Sequence, residues 1–306
     1  MSSVKILLFG KGGQIGWELQ RSLSLFGELI TLDFDEEGLC GDFTKPNEII
    51  KTINLVHPDI IVNAAAYTAV DQAESEPTLA HIINTKSPKI IAQEAKKIDA
   101  WLIHYSTDYV FNGNGVNPWK ETDPTGPMNV YGSTKLAGEN AIINSNCKHL
   151  IFRTSWVYSA RGGNFIKTIL QLAKNQDKLS IINDQIGAPT SAELLADITA
   201  HSICTALKQP RVSGLYHIAA KGETSWYDYA NFILDKAIQF GIEFKAKTEN
   251  IQPVTTYSFP QVAQRPRNSR LDTKKIEFIF NLTLPLWQTG VTRILTEILQ
   301  KDNDRT

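Results

Sequence analysis

The clearest indication of the fold is the segment VKILLFGKGGQIGWELQ, residues 4–20. It begins with a short apolar run that is typical of a buried strand, and it ends in a segment whose apolar residues have helical spacing. Between the two stand Gly10, Gly13 and Gly16, in the pattern G-x-x-G-x-x-G. Glycine at these positions permits a tight turn, close approach of the backbone to a pyrophosphate, and close packing of helix on strand. The stretch therefore predicts a dinucleotide-binding turn, with the pyrophosphate at the N-terminus of the helix.

Apolar runs and helical segments alternate along the first half of the chain. Four further runs resemble buried strands, at residues 28–33, 59–66, 101–107 and 149–155. Helical spacing is found at residues 14–26, 46–56 and 78–98. Pro88 is expected to kink or break the third of these helices. Near-continuous apolar strands are typical of parallel sheets that helices cover on both faces, so the alternation predicts an α/β fold with a Rossmann-like, doubly wound parallel sheet.

The pattern loosens beyond residue 155. Strands are expected at residues 178–184 and 214–220, and helices at residues 191–207, 225–240 and 288–300. Residues 251–272 form a proline-rich loop with three arginines. We therefore expect a dinucleotide-binding domain over residues 1–155 and a smaller, mainly substrate-binding region over residues 156–306. Part of that region is expected to return to the cofactor domain.

The composition excludes several classes of protein. The chain has 306 residues and a formal net charge of −1, whereas binding to a nucleic-acid backbone usually needs a basic excess. No apolar run approaches the roughly 18 residues of a membrane span. The first residues lead directly into the first strand, so no signal peptide is expected. The three cysteines are far apart, which favours neither a disulfide framework nor a zinc site. We expect a cytoplasmic protein without nucleic-acid or membrane partners.

Acidic residues after the second strand bear on the choice of cofactor. Asp33 ends that strand, 20 residues after Gly13. An acid at this position suits a ribose with free hydroxyls and favours NADH. Lys11 in the glycine loop would attract a 2′-phosphate, so NADPH is the alternative cofactor. Asp42 either contacts the adenine or caps the helix that begins near Pro46, and the sequence favours neither.

Tyr131 and Lys135 are four residues apart in NVYGSTKLAGEN, residues 129–140, which has the pattern of a helix start. Side chains at this spacing share one helix face. An ammonium beside a phenol is expected to lower the phenol pKa from its usual value of about 10. Such a tyrosine can give a proton to a carbonyl oxygen while a nicotinamide delivers hydride to the carbon. Thr107, at the end of the fourth strand, is expected to hydrogen-bond the same oxygen.

The order of these motifs resembles the extended short-chain dehydrogenase/reductases: G-x-x-G-x-x-G, NAAA, YSTDYVF and YGSTK. A longer series narrows the resemblance to the dTDP-4-dehydrorhamnose reductases: LLFGKGGQIGWELQ, NAAAYTAVDQAE, YSTDYVFNG, YGSTKLAGE, FRTSWVY, INDQIGAPT and RPRNSRLD. It extends over nearly the whole chain. The resemblance implies reduction of the C4 keto group of a nucleotide sugar, dTDP-4-dehydro-L-rhamnose, to dTDP-L-rhamnose, with NADPH or NADH as cofactor.

The resemblance also implies roles for individual residues. The catalytic set would be Thr107, Tyr131, Lys135 and Asp108. The cofactor would contact Gly10, Gly13, Gln14, Ile15, Gly16, Asp33, Asp42, Phe43, Ala64, Ala65, Ala66, Tyr67, Thr68, Tyr105, Tyr131 and Lys135. The substrate would contact Thr107, Asp108, Trp156, Gln185, Arg265 and Arg270. Without the motif, Trp156 would be interpreted as a packed aromatic. The two arginines suit a diphosphate, because guanidinium groups pair with phosphate oxygens.

A metal site is implied by the resemblance alone. Some members of the family place Mg²⁺ and a dimer contact at three glutamates, and the matching positions here are Glu18, Glu193 and Glu297. Each lies on a different predicted helix, and each would otherwise be interpreted as part of a solvated face. The resemblance thus implies a homodimer.

Two other functions fit parts of the pattern. A nucleotide-sugar epimerase or 4,6-dehydratase of the same superfamily would use its cofactor in a closed cycle. The dehydratases carry Thr-Asp-Glu at the end of the fourth strand, where this chain has Thr107-Asp108-Tyr109. The absent glutamate removes a base for proton abstraction and favours a simple reductase. A non-catalytic, dinucleotide-binding regulatory subunit is the second alternative, and the intact catalytic set argues against it.

Overall fold

The computed structural model describes residues 4–36, 38–259 and 261–303. The outermost residues of the two expected domain ranges, and one residue of the proline-rich loop, therefore lie outside the described parts. The elements are β1 (Val4–Phe9), α1 (Gln14–Leu23), β2 (Gly27–Leu32), α2 (Pro46–Val56), β3 (Ile60–Asn63), α3 (Val70–Ser75), α4 (Pro77–His81), α5 (Ser87–Lys97), β4 (Trp101–Thr107), α6 (Val130–Ser145), β5 (Lys148–Thr154), β6 (Val157–Tyr158), α7 (Phe165–Asn175), β7 (Leu179–Ile182), β8 (Ile186–Gly187), β9 (Thr190–Ser191), α8 (Ala192–Lys208), β10 (Gly214–His217), β11 (Thr224–Ser225), α9 (Trp226–Gln239), β12 (Ile251–Val254), α10 (Lys274–Phe280) and α11 (Trp287–Asn303).

A six-stranded sheet in the order β10-β5-β4-β3-β1-β2 forms the centre of the structure. Every neighbouring pair in it is parallel. The direction of strand succession reverses at β1, so a crevice opens between the carboxyl ends of β1 and β3, where doubly wound sheets bind their ligands. The predicted fold class is confirmed.

The first strand shows why the sheet is buried on both faces. Ile6 and Leu8 pack with side chains of α1, whereas Leu7 and Phe9 pack with side chains of α2. All four side chains are fully buried. Each such side chain stabilises the fold by about 1.5–3 kcal/mol relative to its exposed form. An uninterrupted apolar run is therefore the sequence signature of this strand.

The second half of the chain adds a strand to the sheet and a core of its own. β10 pairs with β5, in the register Leu215 with Ile151. The remaining strands form three two-stranded pairs, β12 with β7, β11 with β8 and β6 with β9. A separate apolar cluster lies among α7, α9 and α11, around the buried Tyr229 and Trp287. No helix in the described residues is both long and apolar enough to cross a membrane.

The helix expected over residues 78–98 is not broken at Pro88. A π-helical segment, Ile82–Lys86, joins α4 directly to α5, and Pro88 stands in the first turn of α5. The change of hydrogen-bond register lets the chain continue where the proline has no N–H to donate. The predicted break is therefore wrong, because the chain stays helical from Pro77 to Lys97, and a kink at Pro88 stays a prediction.

Candidate active site

The glycine loop lies against the end of β3, with no room for a side chain at Gly10 or Gly16. Gly10 has φ +82°, and its backbone N–H donates to the carbonyl of Leu32 at 2.8 Å. A Cβ on Gly10 would stand 2.7 Å from the backbone nitrogen of Ala65, and a Cβ on Gly16 would overlap the carbonyl oxygen of Gly10. Gly13 is the N-cap of α1 and supplies no side-chain cap. The first N–H groups of α1 are thus available to an anion, as a dinucleotide pyrophosphate requires.

A cavity of about 430 Å³ runs from this loop along the carboxyl ends of the strands. Its walls contain many of the residues that the sequence predicted to contact cofactor or substrate. These residues are Gly13, Gln14, Ile15, Ala64, Ala66, Thr68, Tyr105, Thr107, Asp108, Tyr131, Lys135 and Trp156. The space that the missing Cβ atoms leave, the uncapped helix and the position of the cavity beside the glycine loop all fit a dinucleotide.

Tyr131 occupies the second position of α6, at the wall of this cavity. Asn129 is the N-cap of the helix, and its side-chain oxygen accepts from the backbone N–H of Gly132 at 2.7 Å. The Tyr131 ring meets that of Tyr109 edge to face, with 5.6 Å between the ring centres. Thr107, the last residue of β4, hydrogen-bonds the Tyr131 side chain. The helix start and the strand end therefore hold the phenol from both sides.

Lys135 is buried one turn further along α6. Its Nζ donates to the carbonyl oxygen of Tyr105 at 2.5 Å, which ties the helix to β4. Burial lowers the pKa of Lys135 to about 8, and the carboxylate of Glu139 opposes that shift. Glu139 itself forms a buried two-point ion pair with Arg153, at 2.9 and 2.6 Å. The ammonium thus stands between a carbonyl oxygen and a fixed ion pair.

The expected effect of Lys135 on the tyrosine is not observed. Burial raises the pKa of Tyr131 to about 12; the hydrogen bond with Thr107 opposes the shift and the charge of Asp108 adds to it. The prediction of a lowered phenol pKa was wrong for the protein without cofactor, because desolvation outweighs the ammonium, which is directed at the Tyr105 carbonyl. A high pKa keeps Tyr131 protonated at neutral pH, as a proton donor must be.

Asp108 lies beneath the same cavity and is almost fully buried. Its Oδ1 accepts from the hydroxyl of Thr107 at 3.1 Å, and Ser269 also hydrogen-bonds it. Its Oδ2 has no partner among the described residues. Burial raises the pKa of Asp108 to about 7, against the opposing hydrogen bonds from Ser269 and Thr107. A buried carboxyl oxygen without a partner, at the wall of a cavity, is suited to a substrate hydroxyl.

A second cavity of about 250 Å³ adjoins the first, and Tyr109 and Trp226 line both. Trp156 has φ +49°, and its ring stacks on that of Trp226 with 3.5 Å between the ring centres. A Cβ at Gly187 would stand 2.7 Å from the Trp156 indole. Gln185 lines the second cavity and accepts from the indole N–H of Trp226 at 3.1 Å. Trp156 is therefore both packed and part of the cavity wall.

The two arginines of the proline-rich loop occupy different places. Arg265 lines the second cavity and pairs with Asp71 at 2.6 Å. Arg270 lines neither cavity; it pairs with Glu223 at 2.6 Å and donates to Asn268 at 3.1 Å. Arg265 thus lines a cavity and Arg270 does not, although each arginine is paired with an acidic neighbour.

Asp33 is directed at the glycine loop. Its Oδ2 accepts from the backbone N–H of Gly12 at 2.8 Å. The carboxylate therefore stands beside the loop, where the adenosine ribose of a dinucleotide lies. Lys11, the residue expected to attract a 2′-phosphate, forms an ion pair with Glu36.

Asp42 and Phe43 have structural partners in this form. The Asp42 Oδ1 accepts from the backbone N–H and the hydroxyl of Thr44, at 2.9 and 2.7 Å, and Oδ2 pairs with Lys45 at 3.1 Å. These contacts form a turn before α2, whose N-cap is Lys45 and which has no side-chain cap, so the capping alternative for Asp42 is wrong and the adenine contact stays a prediction. The Phe43 ring is buried edge to face against Phe9, with ring centres 5.4 Å apart. The Phe43 side chain therefore belongs to the core and offers the cofactor only its backbone.

The segment after β3 is fixed by buried amides. The side-chain oxygen of Asn63 accepts from the backbone N–H of Ala65 at 3.0 Å. The Asn84 side chain makes two hydrogen bonds with the Tyr67 backbone. It accepts from the Tyr67 N–H at 2.9 Å and donates to the Tyr67 carbonyl at 3.1 Å. The Tyr67 hydroxyl donates to Glu76 at 2.6 Å. The backbone of this segment is thus held at the cavity floor, while the Tyr67 hydroxyl is engaged elsewhere.

The three candidate metal ligands are neighbours but do not form a metal site within one chain. Burial, together with the charges of Glu193 and Glu297, raises the pKa of Glu18. Glu193 is held by a two-point ion pair with Arg293, at 2.8 and 2.9 Å, and Arg21 lies 3.7 Å from Glu18. No group of three or more acidic, histidine or cysteine side chains within the described ranges has the geometry to hold a metal ion.

Three residues at the site escaped the sequence analysis. Tyr109 follows Asp108 directly in the motif YSTDYVF. Its position just after the strand would have predicted an aromatic side chain at the cavity. Trp226 and Asn84 carried no local signal, because one begins a helix 70 residues after Trp156 and the other lies inside a helical segment.

The parallel sheet, the glycine loop and the Thr107, Tyr131 and Lys135 set at one cavity define a dinucleotide-dependent reductase of the short-chain dehydrogenase/reductase class. Residues 4–300 match the family described as the RmlD substrate binding domain. A relative from Escherichia coli (strain K12), described as dTDP-4-dehydrorhamnose reductase, is 56% identical over 295 residues, which cover 96% of this chain and 98% of the relative. The chain therefore belongs to the dTDP-4-dehydrorhamnose reductase family, an oxidoreductase family of dTDP-rhamnose biosynthesis, and the predicted family is confirmed.

Solved structures agree with this assignment. A dTDP-4-dehydrorhamnose reductase from Clostridium acetobutylicum superposes with a TM-score of 0.86 at 34% identity, covering 97% of this chain and 100% of the other. A second, from Bacillus anthracis in complex with NADP, has a TM-score of 0.86 at 32% identity, with the same coverage of both chains.

Proposed function

We propose that this chain reduces the C4 keto group of dTDP-4-dehydro-L-rhamnose to dTDP-L-rhamnose with NADPH or NADH, and that Tyr131 donates the proton. The observation that carries the proposal is the position of Tyr131 on the wall of the cavity that runs from the glycine loop. Family membership supports the reaction and the substrate. The complex of the Bacillus anthracis relative with NADP supports the cofactor.

The chemistry follows from the protonation states of the side chains. When bound, the reduced nicotinamide supplies the hydride. The Tyr131 phenol, protonated at neutral pH, donates its proton to the C4 oxygen, and the Thr107 hydroxyl donates a second hydrogen bond to that oxygen. Lys135 is buried with its ammonium at the Tyr105 carbonyl, where it holds the nicotinamide ribose and stabilises the phenolate that remains. Asp108 accepts from a sugar hydroxyl.

The substrate nucleotide fits the second cavity. Its walls are largely apolar or aromatic, with Tyr109, Phe165 and Trp226 among them, and Arg265 stands at its edge. A base packs against such walls, and a guanidinium binds a diphosphate. Since the two cavities share Tyr109 and Trp226, a nucleotide in one places its sugar in the other.

The same proposal includes the roles of the two parts of the chain and the oligomeric state. Residues 1–155 form the dinucleotide-binding part and residues 156–306 mainly the substrate-binding part, with β10 returned to the sheet. The protein acts as a cytoplasmic homodimer, in which Glu18, Glu193 and Glu297 lie at the subunit contact and bind Mg²⁺ together with groups of a second subunit. Their mutual proximity on α1, α8 and α11 supports this arrangement.

The test is an NAD(P)H-oxidation assay with enzymatically generated 4-keto-rhamnose nucleotide. We expect one NAD(P)H consumed for each product formed, which separates a reductase from an epimerase or dehydratase that regenerates its cofactor. Product formed without net cofactor oxidation would favour those alternatives, and binding of dinucleotide without turnover would favour the regulatory subunit.

A further inference from the structure

An arginine from the second half of the chain stands at the glycine loop. Arg161 lies in the loop 159–164, between β6 and α7, and its guanidinium covers the face of Trp17 at 4.0 Å from the ring centre. Its Nε donates to the carbonyl oxygen of Gly12 at 3.5 Å. Gly12 precedes Gly13, the N-cap of α1, so the guanidinium stands beside the anion-binding helix terminus.

The loop that carries Arg161 is attached to the cofactor cavity. The side-chain oxygen of Gln14 accepts from the Ser159 hydroxyl and from the Asn164 amide, both at 3.2 Å. Ser159 is fully buried, and its hydroxyl also bonds the backbone of Arg161 at 2.7 and 3.1 Å. Gln14 itself lines the cavity. The position of Arg161 is therefore set by contacts to the first helical residue of the dinucleotide site.

Arg161 also differs from the other arginines in its charge environment. Most arginines in the described parts of the chain pair with a carboxylate, and these are Arg21, Arg153, Arg265, Arg267, Arg270 and Arg293. Arg161 has no carboxylate partner among the described residues, although it lies next to a loop that binds an anion. The other cation of that loop, Lys11, is already paired with Glu36.

We infer that Arg161 binds a phosphate of the dinucleotide, so that the substrate half of the chain closes over the cofactor. This inference rests on the proposed function, because it requires a dinucleotide at the glycine loop. A guanidinium that is stacked on an indole is pre-positioned and keeps its terminal N–H groups for phosphate oxygens. The phosphate is either the pyrophosphate, which NADH and NADPH share, or the 2′-phosphate, which only NADPH has.

The test measures dissociation constants of NADPH and NADH by fluorescence titration, without substrate, for the wild type, Arg161→Gln and Arg161→Lys. Arg211→Gln is the matched control, since Arg211 is also exposed and, within the described residues, has no carboxylate partner and a hydrogen bond to Gln209 at 3.5 Å. We expect Arg161→Gln to weaken binding about tenfold, in the lower part of the range for a charge-assisted hydrogen bond. Arg161→Lys should recover part of the loss, and Arg211→Gln should bind as the wild type does.

The two cofactors identify the phosphate. Equal weakening of NADH and NADPH assigns the pyrophosphate, and weakening of NADPH alone assigns the 2′-phosphate. Wild-type dissociation constants for both cofactors in Arg161→Gln would overturn the inference, while turnover of the keto sugar nucleotide by that variant would leave the proposed function intact. A melting temperature lowered with unchanged dissociation constants would also overturn it, because it would assign Arg161 a packing role on Trp17.

Discussion

Lys135 donates from its Nζ to the carbonyl oxygen of Tyr105 at 2.5 Å, and this bond joins the helix that carries the proposed proton donor to the central strand of the sheet. Lys135 therefore has a structural partner before any cofactor binds. The bond also explains why the ammonium does not lower the pKa of Tyr131, which burial raises to about 12. Reduction needs a protonated donor, and the site supplies one at neutral pH.

Cofactor preference is tested at Asp33. Asp33→Ala is expected to raise the KM for NADH more than the KM for NADPH, because the carboxylate accepts hydrogen bonds from a free ribose and repels a 2′-phosphate. The comparison uses steady-state kinetics with both cofactors, and Asp35→Ala, two residues further on and exposed, is the control. Equal changes for both cofactors would show that Asp33 acts only through its bond to the Gly12 backbone.

The proposed contact between the Trp156 ring and the substrate is tested at Gly187. A Cβ in Gly187→Ala would stand 2.7 Å from the Trp156 indole and would displace this ring, which is stacked on Trp226. We expect the KM for the sugar nucleotide to rise roughly tenfold, a loss of about 1.4 kcal/mol, with the dissociation constant of NADPH unchanged. Gly126→Ala is the control, because its Cβ would meet its nearest neighbour at an ordinary 3.5 Å. An unchanged KM would show that the Trp156 ring does not contact substrate.

The buried carboxyl of Asp108 gives a dependence of stability on pH. Its pKa is raised by burial from 3.8 to about 7, so between these values the folded protein binds more protons than the unfolded chain. Stability from this group therefore falls as pH rises through that window. The melting temperature of the wild type should fall relative to that of Asp108→Asn between pH 4.5 and pH 7.5. A constant difference between the two proteins would mean that Asp108 is ionised throughout.

Metal removal tests the proposed subunit contact. If Glu18, Glu193 and Glu297 bind Mg²⁺ between subunits, excess chelator should shift the protein toward the monomer in sedimentation experiments, and added Mg²⁺ should restore the dimer. NAD(P)H oxidation should persist in chelator, because the proposed hydride step needs no metal. A dimer that withstands chelator, with Glu297→Ala indistinguishable from the wild type, would argue against the site.

Local patterns in the sequence predicted the fold and many of the residues that the structure brings together at one cavity. The glycine loop and the spacing of Tyr131 and Lys135 each lie within a few residues of the chain, so strand, turn and helix signals coincide there. The contacts of Trp226 with Trp156 and of Arg161 with Trp17 join distant parts of the chain, and no local pattern signals them.

Predictions of charge and polar contacts were less successful for a related reason. The pKa of Tyr131 depends on how deeply the completed fold buries it, and the partners of Arg270 and Lys11 are acids supplied by other segments. Both effects depend on the tertiary structure. The spacing of residues in a motif indicates neither how deeply a side chain is desolvated nor which distant carboxylate it contacts.

Proton donation by Tyr131 is tested most directly by measuring turnover and cofactor binding in Tyr131→Phe and in the wild type. The phenyl ring should preserve the edge-to-face contact with Tyr109, whereas the proton of the hydroxyl is lost. We predict that reduction of dTDP-4-dehydro-L-rhamnose at saturating substrate falls by about 10²–10⁴-fold, with the NADPH dissociation constant nearly unchanged. A variant that keeps more than roughly a tenth of the wild-type rate would contradict the assignment of Tyr131 as the proton donor.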